Sequence, residues 1–167
     1  KSIMNNRDKI DFITSWIAEY VGNMPNPAKS LVVGVSGGIA SYKSADLASK
    51  LVQYGMDVNV CMTPNSEKFI TPLTFSAITG KETYIDKTII DEKNTYYPHL
   101  YPAIHADIFI LIPATANIIG KIANGLADDL ASTILLASFS KIIFAPSMNP
   151  IMWNNLATQE NYKTLLN

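Results

Sequence analysis

The amino-acid sequence predicts an α/β protein built on a doubly wound parallel sheet. Three observations carry that expectation. From Ser30 onward, short apolar runs alternate with segments of helical periodicity. The runs are continuously apolar rather than alternating, so each strand has both faces buried between helical layers. Each run also ends in a loop rich in Gly, Ser, Thr, Asn or Pro, where open α/β sheets bind ligands.

Taken in order, Ile10, Ile13, Ile17 and Val21, with Trp16 and Tyr20 beside them, recur at helical spacing after Asn6 and Asp8 as caps. This predicts an amphipathic helix whose apolar face packs on its own domain or on another subunit. Pro25 and Pro27 stop it in a turn-rich linker. Residues 1–29 therefore read as a helical extension and 30–167 as the main domain. Within that domain the pattern predicts a strand at 31–35, a helix at 41–54, a strand at 57–62 and a helix at 71–79. A polar stretch over 80–98 precedes the most apolar run, 108–112, which reads as a buried strand. Helices at 117–123 and 129–138 follow, with Asp128-Asp129 as a helix cap, and 141–145 is the last strand.

Composition limits the function. A chain of 167 residues fits one domain of about 100–150 residues. Hydrophobic residues make up 48% and charged residues 16%, against a typical charged share of about 25%, so the chain can bury a core and is not disordered. Thirteen basic and fourteen acidic side chains leave a net charge of −1, which gives no global attraction to nucleic acid or anionic membrane. The single cysteine, Cys61, cannot form an intramolecular disulfide, and with two histidines it offers no clustered metal-ligand spacing. That usage suits a reducing, cytoplasmic compartment. No run approaches the roughly 18 apolar residues of a membrane helix. The chain begins at Lys1 rather than Met and reads as part of a longer one.

Four strand-end loops carry the candidate chemistry. Ser36, Gly37, Gly38, Ile39 and Ser41 put small residues and hydroxyls between a strand and a helix, which suits either a tight turn or an anion held on backbone N–H groups. Their spacing is neither the dinucleotide GxGxxG nor the Walker loop. In the second loop, Thr63 and Asn65 offer polar groups and Phe69 a ring to lie against a planar ligand; an N-cap and a core phenylalanine are the plainer reading. In the third, Thr115 and Asn117 can donate to the edge of a flat ligand pressed against Ala114 and Ala116, or simply cap the next helix. The fourth, 145–153, holds two prolines, two methionines, Asn149 and Trp153. Asn149 can hold a carboxylate through its amide N–H, while Met152 and Trp153 serve equally as core anchors. His99 and His105 are isolated histidines, and no G-x-S-x-G elbow or paired-carboxylate site is present.

Together these loops resemble the flavin-dependent cysteine decarboxylase family. Pro113-Ala114-Thr115-Ala116-Asn117 is similar to the family's P-A-S-A-N-T, and the segment from Pro146 to Trp153 matches P-x-M-N-x-x-M-W at every fixed position. Residues 36–40, 69–73 and 120–130 look most like the branch that serves coenzyme A biosynthesis. The resemblance implies a flavodoxin-like, Rossmann-like fold binding FMN through Ser36, Gly37, Gly38, Ile39, Thr63, Asn65, Phe69, Thr115, Ala116, Asn117 and Ser147. It implies His99 as the base, Asn149 as a catalytic residue holding the substrate carboxylate, and Met152 at the substrate. Asn65 and Ile118 depart from the family pattern, so their contribution would come through backbone.

The implied reaction is oxidative decarboxylation of the cysteine moiety of 4′-phosphopantothenoylcysteine. Direct CO₂ loss would leave an unstabilised carbanion, whereas hydride removal by FMN gives a thioaldehyde that accepts those electrons as an enethiol. In the coenzyme A branch the hydride returns, and a cysteine on a flap after residue 167 supplies the last proton, giving 4′-phosphopantetheine. Cys61, in a strand, cannot stand in for it. A peptidyl-cysteine decarboxylase and a non-catalytic flavin-binding regulator are the alternatives. The resemblance also implies a homotrimer, which in the family often assembles further into a dodecamer, while the near-neutral charge gives the expectation of no nucleic-acid or membrane partner.

Overall fold

The computed structural model describes residues 6–23, 30–90 and 100–166. Helix α1 (Asn6–Gly22) is followed by strand β1 (Ser30–Val35), helix α2 (Tyr42–Gln53), strand β2 (Asp57–Met62) and helix α3 (Pro72–Thr79). Helix α4 (Leu100–His105), strand β3 (Ile108–Ala114), helices α5 (Ala116–Ala123) and α6 (Leu130–Ala137), strand β4 (Lys141–Pro146) and helices α7 (Pro150–Trp153) and α8 (Leu156–Leu166) come next. The four strands pair in parallel in the order β2-β1-β3-β4. The chain thus winds outward from β1 to β2, then returns to the other side of β1 to begin β3. The reversal point, between β1 and β3, is where such sheets form a crevice.

Strand pleating distributes the apolar runs to two layers. Leu31, Val33, Val35, Ile108, Ile110 and Ile112 face one core with Leu47 and Leu51 of α2 and Phe75 of α3. Val32, Phe109 and Leu111 face the other, with Ile118, Ile119 and Ile122 of α5 and Leu130, Ile134 and Leu135 of α6. Full burial of one such side chain contributes about 1.5–3 kcal/mol, so β3, buried at all seven positions, anchors both layers. Helix α1 covers its own domain: Ile17, Ala18 and Val21 join the first core, and Thr14 Oγ1 lies 3.0 Å from Asp46 Oδ2 of α2. Its opposite face leaves Phe12, Trp16 and Tyr20 exposed, with the last two rings stacked.

Local chemistry sets the ends. Pro72 opens α3, where its missing N–H costs nothing, and Gly80 closes it at φ 70°, a left-handed turn that a Cβ would strain. Asp129 caps α6, its Oδ1 accepting from Ser132 N at 2.8 Å, in agreement with the expected cap. The observed elements depart from the sequence pattern in three places. The helix expected from residue 41 starts at 42, because Ile39–Ser41 forms a 3₁₀ turn. The strand at 141–146 is half-buried rather than covered on both faces, whereas β2, at the other edge of the sheet, is buried at five of its six positions. Helices α4, α7 and α8 lie outside the expected set; α7 is a single turn and α8 buries no residue, so neither writes a clear apolar stripe.

Gly34 lies under the Phe109 ring, where an added Cβ would come within 2.7 Å of a side chain that is itself fully buried. Gly34→Ala is expected to destabilise the fold by about 1–3 kcal/mol through overpacking. Denaturant unfolding should show that loss, and much of it should be recovered when Phe109→Leu is added.

Candidate active site

One hydroxyl joins the strand ends at the reversal point. Buried Ser36 Oγ donates to Pro113 O at 2.6 Å, accepts from Thr115 N at 3.2 Å and lies 3.1 Å from Thr115 Oγ1. Two more serines stiffen the same loop. Ser41 Oγ accepts from Gly38 N at 3.1 Å and lies 2.6 Å from Gly38 O, while Ser44 Oγ donates to Ile112 O. The second loop sits directly on the first: a Cβ at Gly37 would lie 2.7 Å from the Asn65 backbone, so only glycine permits the approach.

A cleft of about 720 Å³ opens across these strand ends, within the range of small-molecule sites. Ser36, Gly37, Gly38 and Ile39 form one wall, with Thr63 and Asn65 beside them. Ser36 lines the cleft, but its hydroxyl is engaged in the tie just described. Thr63 N continues the sheet by donating to Val35 O at 3.0 Å, and Thr63 O accepts from Ser66 Oγ at 2.7 Å. Its hydroxyl, by contrast, is the buried side-chain polar atom without a hydrogen-bond partner among the described residues. Asn65 Oδ1 accepts from Lys68 Nζ at 2.9 Å.

Thr115, Ala116 and Asn117 line the cleft as well. Thr115 is the N-cap of α5 yet makes no side-chain cap bond, so the first amides of that helix keep their capacity for an incoming acceptor. Ser147 N donates to Ala114 O at 3.0 Å, seating the fourth loop against the third. Asn149 caps α7 by accepting from Ile151 N at 2.8 Å through Oδ1, which leaves its Nδ2 as the donor in a residue that lines the cleft. Met152, half-exposed, lines it too. Trp153 packs edge-on against Tyr162 of α8 at 5.1 Å instead.

One expected cofactor contact falls elsewhere. Phe69 is 57% exposed and absent from the cleft wall, because the 3₁₀ turn Ser66–Lys68 leads the chain away, with Phe69 N donating to Ser66 O at 2.9 Å. His105 packs its ring on Tyr101, 4.6 Å between centroids. His99 lies outside the described residues.

The structure adds residues to which the pattern gave no site role. Lys121 lines the cleft one turn beyond Asn117, and Asp128 and Asp129 line it with Lys121 Nζ at 2.6 and 2.8 Å respectively. Burial pulls the Lys121 ammonium down, but its bonds to the two carboxylates outweigh that and raise it. The bond to Lys121 holds the Asp128 carboxyl below its ordinary range. The readable signal was the i, i+4 spacing of Asn117 and Lys121, which places both on one helix face.

A model of the Flavoprotein family matches residues 21–167. The coenzyme A biosynthesis bifunctional protein CoaBC of Bacillus subtilis (strain 168) is 44% identical over 137 residues, which are 82% of this chain and 34% of that protein. The chain spans about a third of the length of the curated relatives it matches. Among solved structures it is similar to the FMN-dependent cysteine decarboxylase TvaF from thioviridamide biosynthesis, with 29% identity and a TM-score of 0.77 over 82% of this chain and 84% of that one. A PPC decarboxylase variant complexed with pantothenoylaminoethenethiol is 28% identical, with a TM-score of 0.74 over 81% of this chain and 76% of that one.

Cys61 is fully buried on β2, and burial, with the Asp129 charge adding to it, pushes its thiol up. The reactive thiolate is therefore suppressed at neutral pH. A thiol reagent such as DTNB should leave Cys61 unmodified in the folded protein at pH 8 and titrate one thiol per chain in denaturant; fast labelling of the native protein would contradict this.

Proposed function

The chain belongs to the Flavoprotein family, and from that premise we propose that it holds FMN in the strand-end cleft and decarboxylates the cysteine moiety of 4′-phosphopantothenoylcysteine, as a carboxy-lyase of coenzyme A biosynthesis. The residues present fit a flavin nucleotide. A buried hydroxyl without a partner costs about 1–3 kcal/mol, and Thr63 Oγ1 is such a group on the cleft wall. Gly37 and Gly38 line the cleft without side chains, Gly37 also admitting the second loop, and the uncapped start of α5 at Ala116 and Asn117 supplies amides for an anion. Ile39, Asn65, Thr115 and Ser147 complete the cradle, with Ser36 positioning Thr115. Bound there, FMN supplies the two-electron acceptor that no side chain of this protein provides.

The observation that carries the reaction is the polarity of Asn149. Because Ile151 N engages Oδ1, the amide presents Nδ2 to a substrate carboxylate. An amide donor orients that carboxylate without the full positive charge that would stabilise the ground state against CO₂ loss. Met152 packs beside the substrate, and His99 is assigned as the base on its motif Pro98-His99-Leu100. Identity of 44% to the coenzyme A relative, against 29% to TvaF, favours phosphopantothenoylcysteine over a peptidyl cysteine. His99 and Asn149 together favour an enzyme over a flavin-binding regulator, which has no use for that pair.

Assembly as a homotrimer, and further as a dodecamer, belongs to the same reading. Ile39 and Ile151, 87% and 81% exposed, offer apolar surface beside the cleft to a neighbouring copy. A cytoplasmic location suits a chain with one cysteine.

Purified protein should be yellow and release CO₂ from phosphopantothenoylcysteine. His99→Asn should abolish that release while FMN remains bound, and Asn149→Ala should lower kcat/KM by at least about 100-fold with the flavin spectrum intact. Unchanged turnover in His99→Asn, or a colourless protein that FMN does not reconstitute, rejects the assignment. Thr63→Val should act in opposite senses on two measurements. It should stabilise the flavin-free protein by about 1 kcal/mol, by removing an unpaired hydroxyl, and weaken FMN binding roughly tenfold.

A further inference from the structure

The Lys121, Asp128 and Asp129 cluster is an ion-paired group at the cleft whose two carboxylates are not equivalent. Asp129 is fixed: its side chain is 4% exposed, Oδ2 accepts from Lys121, and Oδ1 accepts from both Ser132 N and Ser132 Oγ at 2.8 Å. Asp128 is 65% exposed and meets the same ammonium at 2.6 Å from the solvent side. Exposed ion pairs of this kind are weak, because water and salt compete for both charges. Lys121 therefore has one permanent partner and one that solvent can replace.

Lys121 is also the cation on the cleft wall among the described residues. It lies on α5, whose Cα–Cβ bonds tilt toward the helix start, and that start is uncapped at Thr115. Thr63, whose hydroxyl is buried and unpartnered, lines the same cleft. Uncapped amides and an ammonium in one cleft suit a ligand that carries anionic oxygens.

We propose that Lys121 binds a phosphate monoester in the cleft, and that Asp128 is a place-holding carboxylate which the phosphate displaces from the ammonium while Asp129 stays. Both the flavin nucleotide and the substrate of the proposed reaction carry this chemistry, so the inference rests on that reading for its ligands. The displacement is an exchange of ion-pair partners, with no covalent change. Asp129 keeps Lys121 neutralised in part, and the cluster favours phosphorylated ligands over their dephosphorylated forms.

Two arms separate the sources of the phosphate. Flavin-free protein is titrated with FMN and with riboflavin by flavin fluorescence, and decarboxylation is measured with phosphopantothenoylcysteine and with its dephosphorylated form. Lys121→Met should weaken one phosphorylated ligand about tenfold and leave its dephosphorylated counterpart unaffected. A loss confined to FMN affinity assigns the flavin's phosphate; a rise in KM at constant kcat, confined to the phosphorylated substrate, assigns the substrate's. Lys121→Arg should restore most of the loss. Asp128→Asn, at a solvent-exposed position, should tighten the same ligand by about threefold, because the competitor is gone.

Equal loss for phosphorylated and dephosphorylated ligands in Lys121→Met overturns phosphate binding by Lys121. Should Lys121→Met not fold, Lys121→Gln and Asp128→Asn decide: unchanged discrimination between phosphorylated and dephosphorylated ligands in both overturns it equally. Weaker binding in Asp128→Asn overturns the place-holder. The flavin arm requires no turnover, so an absence of decarboxylation by the unaltered protein counts against the proposed reaction and leaves the Lys121 result readable on its own.

Discussion

The geometry of the cleft depends on the hydrogen bonds that Ser36 makes across the reversal point. Parallel strands adjoin there without a turn between them, so the loops after β1 and β3 have no covalent reason to stay in register. The buried Ser36 hydroxyl ties them by hydrogen bonds instead, donating to Pro113 O and accepting from Thr115 N. The other loops are seated on this pair. Asn65 lies against Gly37 at a distance that excludes any side chain, and Ser147 N donates to Ala114 O. Four strand ends become one rim, and the rim inherits the rigidity of a β3 buried along its whole length.

That rigidity explains how polar groups persist at the edge of an apolar sheet. Ser41 and Ser44 satisfy backbone groups of the first loop and of β3, so the loop closes on itself instead of on solvent. The exception is the Thr63 hydroxyl. An isolated unsatisfied group is tolerable in a domain whose two cores are closely packed, and it is the arrangement a preorganised ligand site requires. Its cost is met by the fold in advance, so the hydroxyl need not be ordered or dehydrated when a ligand arrives.

The legibility of the sequence follows the same physics. Residues 31–35 and 108–112 read as strands because burial on two faces demands nearly unbroken apolar runs, 57–62 reads as one despite Asp57 and Asn59, and the structure pairs the three in parallel. The loops were legible because strand ends in such sheets have few tasks besides turning and binding. Helices α4, α7 and α8 were not: a six-residue helix, a single turn and a helix without buried residues leave almost no periodic trace. Phe69 illustrates a different limit. Its distance from Thr63 in sequence suits a shared ligand, but the bonds of Ser66 to Thr63 O close a 3₁₀ turn between them and take the ring outward. Lys121 was missed for the opposite reason: its partners lie seven and eight residues onward, past the end of α5, and only the tertiary fold returns them to the cleft.

Charge is distributed over this rim with a chemical consequence for the proposed reaction. Loss of CO₂ is fastest when the departing carboxylate is oriented but not strongly stabilised, since any interaction lost on the way to the transition state adds to the barrier. A neutral amide at Asn149, locked by its bond from Ile151 N, orients without a full charge. The ammonium of Lys121 is paired in the same cleft. Asp129, held by Ser132 and by its place as the α6 cap, keeps the ammonium partly neutralised and fixed at the α6 end of the site. The cap is thus part of the electrostatics: the residue that caps a structural helix also neutralises in part the one cation among the described cleft residues.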